Sequence, residues 1–286
     1  MNDLTAAVLV SIARVNRGSG DVDPPTELGH LVRERRNMST DELIQLDEDQ
    51  LDYFTEDGHK VYRAQWQEQT GRIPMEIGGV DEEFRILDIG GANGRFSDQL
   101  LAEYPRAQAV VVDNSEYLLE QNIPNDRKRL LLGSATQLPE ILGGEKFDFV
   151  FVNCLLHHLV TGSYSGSRRT IRGVLRDLSA SLSERGRVSI WENVFEGTLL
   201  TNLPSRAIFE ITSVRALSKI ARKLGANTAG VGVCFLSRPQ WRSELNAVGL
   251  EVLDSHWTPM GLPLYQRLPL TIGAVGAVHL WCGKAQ

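Results

Sequence analysis

The 286-residue sequence is poor in cysteine, poor in positive charge and free of long apolar runs. Its three cysteines (Cys154, Cys234 and Cys282) lie far apart, in no Cys-x-x-Cys arrangement. They support neither a disulfide framework nor a zinc site, and they suit a reducing cytoplasm. Lysine and arginine number 30 against 36 aspartates and glutamates, a net charge of -6. That balance argues against a dedicated nucleic-acid binder, which shows a basic excess. The patch LTAAVLVSIA near the start is short, and Asp3 precedes it where a signal peptide would carry positive charge. The late stretch LPLTIGAVGAVHLWCG is too short and too broken by glycine to span a bilayer. A soluble cytoplasmic protein is expected, without membrane association. No metal-ligand cluster, internal repeat or long low-complexity tract is visible.

What is present is an ordinary globular composition, 42% apolar and 23% charged, in a chain able to bury one large core or two modest ones. Three zones follow one another. Residues 1–80 read as an N-terminal helical cap region. There Ser39 and Glu42 have the spacing of a capping box, and HKVYRAQWQEQTG groups Val61, Tyr62 and Trp66 on a helical face that stops at Gly71. Residues 81–286 form the core zone. It opens with the apolar runs FRILDIG, AQAVVVDN, RLLLGS, FDFVFVN and GRVSIWEN, which alternate with helical patterns. Continuous apolar runs separated by helices predict a doubly wound α/β core built on a parallel sheet. An insertion at 197–238 carries Ile208, Ile211, Val214, Leu217, Ile220 and Leu224 at helical spacing, which predicts a helical lid. The chain then returns through a helix, PQWRSELNAVG, and two runs that can pair as an antiparallel edge hairpin.

The most informative stretch is FRILDIGGANGRFSDQLLAEYPRAQAVVVDNS, residues 84–115. Glycines at a strand-to-helix turn let backbone approach a ligand closely at the carboxyl end of the first strand. Asp113 ends the second strand about twenty residues later, the right separation for binding a ribose diol. Alone, this pattern also fits a dinucleotide site. Asp88 directly before the glycines would repel a pyrophosphate, yet it could hold an ammonium-bearing ligand directly or through water. The turn reads GGANG, and the lysine of a P-loop is absent.

Here the sequence resembles the class I S-adenosylmethionine-dependent methyltransferases. ILDIGGANG looks like their first motif, and VVVDNSEYLL and LLLGSATQLPE are similar to the two segments that follow. FDFVFVNCLLHHL and LSERGRVSIWEN resemble their fourth and fifth strands. The resemblance is strong over 84–192 and looser beyond. It implies a mostly parallel seven-stranded sheet with an antiparallel last strand, flanked here by N-terminal helices and a helical insertion after the fifth strand. It also implies S-adenosyl-L-methionine as cofactor and S-adenosyl-L-homocysteine as product. Asp88, Gly90, Gly91, Ala92 and Gly94 would then line the methionine side and Asp113 the ribose. Asn114, Ser134 and Ala135 would flank the adenine, and Asn153 would stand at the end of the fourth strand. Ala92 replaces the middle glycine of the commonest pattern, and Ser134 stands where an aspartate is usual.

Three side chains are candidates for catalysis. His157 and His158 follow the fourth strand, where an acceptor would approach, and a neutral imidazole can take a proton from a hydroxyl or amine. Capping and packing are their alternative uses. Glu192, ending the fifth strand, could orient the acceptor or a histidine, or pair with the insertion. Arg168, Arg169, Arg172 and Arg176 read as a solvated helix face, as do Arg215, Lys219, Arg222 and Lys223. Tyr53, Tyr62 and Trp66 could line an aromatic wall, although core packing is the ordinary use. The expected activity is methyl transfer to oxygen or nitrogen of a small-molecule acceptor, biosynthetic in character, with a homodimer as the candidate assembly. An RNA-modifying methyltransferase is one alternative. A cofactor-binding relative that does not transfer methyl, such as a cyclase or a binding module, is the other.

Overall fold

The computed structural model describes residues 59–214, 228 and 230–285. The capping box at Ser39 and Glu42, the aromatic Tyr53, the side chain of Tyr62 and the basic residues Arg215, Lys219, Arg222 and Lys223 lie outside that description.

Each apolar run becomes a strand. β1 (Arg85–Ile89), β2 (Gln108–Asp113), β3 (Lys128–Leu132), β4 (Phe147–Asn153) and β5 (Leu182–Gly197) run parallel. β7 (Ile272–Lys284) lies antiparallel between β5 and β6 (Leu250–Pro259). The seven-stranded sheet has the order β3-β2-β1-β4-β5-β7-β6. This is the expected doubly wound architecture with its antiparallel last strand. The direction of winding reverses between β1 and β4, and ligands of such sheets bind outside the carboxyl ends at that point.

The flanking helices are α1 (His59–Thr70), α2 (Ile73–Glu76), α3 (Arg95–Glu103), α4 (Glu116–Leu119), α5 (Leu138–Leu142), α6 (Tyr164–Ser181), α7 (Leu203–Ser213), α8 (Arg238–Asn246) and α9 (Leu264–Arg267). Side chains alternate across the sheet with a period of two, so each strand feeds two cores. Leu87 and Ile89 of β1 join Val150 and Val152 of β4 and Ile171, Val174 and Leu178 of α6. Ile86 joins Phe149 and Phe151 of β4 and Phe96, Leu100 and Leu101 of α3 on the other face. Asp88 and Asn153 therefore fall on the face shared with α1 and α3. Trp66 of α1 packs edge-on against Phe96 at 5.2 Å between ring centroids, so its use is packing.

Capping chemistry fixes where the helices begin. The Ser163 hydroxyl accepts from the Gly166 N–H ahead of α6. Ser237 and Gln240 form a capping box ahead of α8, a Ser-x-x-Gln signal readable in the sequence.

Two expectations are corrected. The helix in the insertion stops at Ser213, and Val214 is extended (φ -85°, ψ 110°), so the periodic pattern does not run unbroken through Val214. The Thr212 hydroxyl bonds back to the Ile208 carbonyl, while the Thr212 carbonyl accepts from Gly230 N–H. A β-branched and hydroxyl-rich run, Ile211 to Val214, is a poor helix continuation for this reason. The buried face of α7 is Pro204, Ser205, Phe209 and Thr212, whereas Val214 is exposed. The second correction concerns α6. Arg168 and Arg172 do not simply face solvent: their Nε atoms reach Glu244 of α8 at 2.9 and 2.6 Å. Glu244 is fully buried, and a buried carboxylate needs such counter-charges. Arg169 and Arg176 remain exposed.

Candidate active site

The glycine turn after β1 is shaped by two positions of positive φ that only glycine fills without strain, Gly90 (69°) and Gly94 (70°). A Cβ on Gly94 would sit 1.8 Å from Asn122 Oδ1, and one on Gly90 would meet Leu155 at 3.0 Å. Gly90 N–H donates to the Val112 carbonyl at 2.7 Å, which ties the turn to β2. Ala92 also has positive φ (47°), an uncommon state for alanine, and is held there from both sides. Its N–H donates to Asp113 Oδ2 at 2.9 Å, and its carbonyl accepts from Asn122 Nδ2 at 2.9 Å.

The two aspartates have different surroundings. Asp113 is nearly buried; its Oδ1 accepts from Ser115 N–H at 2.9 Å while Oδ2 holds Ala92. Burial raises its pKa, opposed by the backbone N–H groups of Ser115, Ala92 and Asn114. Asp88 lies beneath Gly91, only 1% exposed, and accepts from the Ser97 hydroxyl of α3 at 2.8 Å. Burial pushes it up to about 6; the Ser97 bond opposes the shift, and Asp113 adds to it. With its carboxylate covered, Asp88 supports the turn from below.

The remaining candidates line the same carboxyl edge. Asn114 is exposed directly after Asp113. The Ser134 hydroxyl accepts from Thr136 N–H at 3.2 Å and lies 2.9 Å from the Thr136 hydroxyl, so it is largely occupied by its own turn. Ala135 is buried beside it. Asn153 ends β4 level with Trp191 of β5.

After β4 the chain turns sharply through Cys154 (φ 51°), whose N–H donates to the Trp191 carbonyl. The turn places Leu156, His157 and His158 over the continuation of β5. Glu192 does not end the fifth strand, as its sequence position suggested, but lies within β5, which pairs with β7 as far as Gly197; fully buried, it receives both Leu156 N–H at 2.7 Å and His157 Nδ1 at 2.5 Å. The two carboxylate oxygens thus fix the backbone and the ring of this loop together. The rings of His157 and His158 lie 4.1 Å apart, and Phe235 covers His157 at 5.0 Å. Burial, reinforced by His157, drives the His158 pKa well below that of a free histidine, so this ring is neutral at physiological pH.

A family model described as a methyltransferase domain matches residues 87–188. The match spans β1 to the start of β5 and takes in the glycine turn, Asp113 and the His157–His158 turn. The chain matches that domain over less than half of its length. In fold it is similar to the mitomycin 7-O-methyltransferase MmcR, at TM-score 0.52 and 15% identity, over 84% of this chain and 58% of that one. It thus spans little more than half the length of that protein. It is also similar to a protein provisionally assigned as a sarcosine dimethylglycine methyltransferase from Galdieria sulphuraria. There the TM-score is 0.54 and the identity 14%, over 85% of this chain and 92% of that one. No curated protein matches the sequence.

The turn after β1 is compact and open to polar contact at one side. Glycine at 90 and 94 keeps side chains out of the turn, and the exposed Asn114 offers polar atoms beside it. Three supporting residues escape a reading of the sequence: Ser97, Asn122 and Gln69. Each is an ordinary polar residue in or beside a helix, and its role depends on a partner distant in the chain. Only the αL glycine opposite Asn122 leaves a trace. Among the described residues no cluster of His, Cys, Asp or Glu could hold a metal ion, and no helix is long and apolar enough to cross a membrane.

Proposed function

We propose that this chain is a cytoplasmic methyltransferase that moves the methyl group of S-adenosylmethionine to an oxygen or nitrogen of a small-molecule acceptor. The observation that carries the reading is the Glu192–His157 pair at the carboxyl edge, beside the glycine turn that Asp113 closes. The names of the two similar proteins, a mitomycin 7-O-methyltransferase and a sarcosine dimethylglycine methyltransferase, accord with a small acceptor. When bound, the sulfonium supplies an already activated methyl group, so the protein contributes mainly proximity and alignment.

In this reading the backbone of residues 90–92 and the side chains of Asp113 and Asn114 hold the cofactor, with Ser134, Ala135 and Asn153 bordering it. Glu192 accepts the Nδ1 proton of His157 and leaves Nε2 as the basic nitrogen. That nitrogen takes the proton released when the acceptor is a hydroxyl or amine. His158, kept neutral, adds no competing positive charge. The 1–80 and 197–238 segments are the elements we assign to acceptor selection. The return segment through Cys234, whose N–H donates to the His157 carbonyl, connects that insertion to the base.

The test supplies labelled S-adenosylmethionine together with a small-metabolite extract or with total RNA. Label in the small-molecule fraction, with release of S-adenosylhomocysteine, is the expected outcome. Label in RNA alone, or cofactor binding without transfer to either pool, would replace the reading. Glu192→Gln and His157→Ala should each lower turnover by about a hundred- to ten-thousandfold.

A further inference from the structure

The residue that ties the N-terminal helix to the active edge is Gln69. It lies one position from the end of α1, is fully buried, and points across the sheet face shared with Phe96 and Phe151. Its Nε2 donates to Asn153 Oδ1 at 2.8 Å and to Ser189 Oγ at 2.9 Å. Its Oε1 accepts from Gln65 Nε2, one turn earlier, at 2.9 Å. Ser189 in turn lies 2.9 Å from His279 Nε2 on β7. With Gln65 and Asn153 oriented as they are, reversing Gln69 alone would set donor against donor at Gln65 and acceptor against acceptor at Asn153, so the three amides hold one another in register.

We propose that Gln69 is a positioning residue for cofactor binding, acting through Asn153. The inference rests on the reading that the cofactor occupies the carboxyl edge. Asn153 is the last residue of β4 and is only partly buried. With its carbonyl oxygen held by Gln69, its NH2 end is the one presented to the crevice. A free asparagine amide would sample both ends; a fixed one offers a donor at a set point, and pre-ordering of this kind removes an entropy loss from binding. The buried chain Gln65–Gln69–Asn153 thus makes α1 a determinant of cofactor affinity.

The test is a double-mutant cycle read by calorimetric titration with S-adenosylhomocysteine, well below the melting temperature of each variant. Gln69→Met keeps the side chain's length and removes its hydrogen bonds. Gln69→Glu, a second variant, keeps shape and polarity but offers only acceptors when ionised. Each should bind S-adenosylhomocysteine about tenfold more weakly than wild type, as should Asn153→Ala. In the Asn153→Ala background the Gln69 substitutions should cause no further loss, because the residue through which they act is gone. A merely structural Gln69 would lower the melting temperature and leave affinity unchanged, or its effect would multiply with that of Asn153→Ala; either result overturns the proposal. Absence of binding by the wild type would instead remove the cofactor reading itself, and this inference with it.

Discussion

The carboxylate of Asp113 closes the glycine turn: its Oδ2 accepts the N–H of Ala92 at 2.9 Å, joining the end of β2 to the loop after β1. The same carboxylate is the group assigned to the ribose, so loop shape and ligand contact rest on one side chain. Asp113→Ala should weaken S-adenosylhomocysteine binding by about ten- to a hundredfold, from charged hydrogen bonds of about 1.5–3 kcal/mol. Calorimetry that finds unchanged affinity would remove Asp113 from the site.

Asp88 makes a second, less intuitive prediction. Its folded pKa, about 6, stands above the ordinary 3.8, chiefly through burial. Between those values the folded chain holds a proton that the unfolded chain has lost, so stability falls as pH rises through that window. The full shift amounts to about 3 kcal/mol at neutral pH. Asp88→Asn keeps an acceptor for Ser97 and removes the buried charge. It should therefore be more stable than wild type at pH 7.5, by about 1–3 kcal/mol, and equal to it near pH 4. Urea midpoints at the two pH values decide the matter; lower stability at pH 7.5 would refute it.

His279 acts in the opposite direction. Burial, with a smaller contribution from Arg72, lowers its pKa to about 3, and the side chain is fully enclosed. The unfolded chain takes up a proton below about 6.5 that the folded ring refuses, so stability falls as pH drops through that window. Moving from pH 7 to pH 5 should remove about 2 kcal/mol through this residue. A His279→Gln variant should show a correspondingly shallower loss in denaturant titrations at the two pH values. An identical slope would mean that other groups set the acid limb.

Glu244 provides a structural control away from the site. Its two arginine partners on α6 are partly exposed, which softens the penalty of losing the pair. Glu244→Ala should destabilise by about 1–3 kcal/mol while leaving S-adenosylhomocysteine affinity unchanged. A loss of affinity would tie the α6–α8 contact to the pocket.

Strands and strand ends were the legible part of this sequence. Runs such as FDFVFVN are apolar on both faces, and parallel strands buried between helices require that pattern. Asp113 and Asn153, the last residues of β2 and β4, reach one edge by topology alone, whereas Glu192 lies within β5, which runs on to Gly197. The pairing of Glu192 with His157 depends on the register of β4 against β5, which no local pattern encodes. The end of α7 was obscured because apolar spacing continues past Ser213, while the hydroxyl chemistry of Thr212 and a distant Gly230 decide the stop. Gln69 and Asn122 could not be singled out, since a polar residue on or just after a helix looks solvated until its distant partner is known. The arginines of α6 misled for the same reason: Glu244 is distant in sequence.

The central claim, that the edge closed by Asp113 binds S-adenosylmethionine, is tested most directly by calorimetric titration of the wild-type chain with S-adenosylhomocysteine. The account predicts saturable one-to-one binding with Kd on the order of micromolar, weakened in Asp113→Ala. No heat of binding and no rise in melting temperature with the ligand present would contradict it.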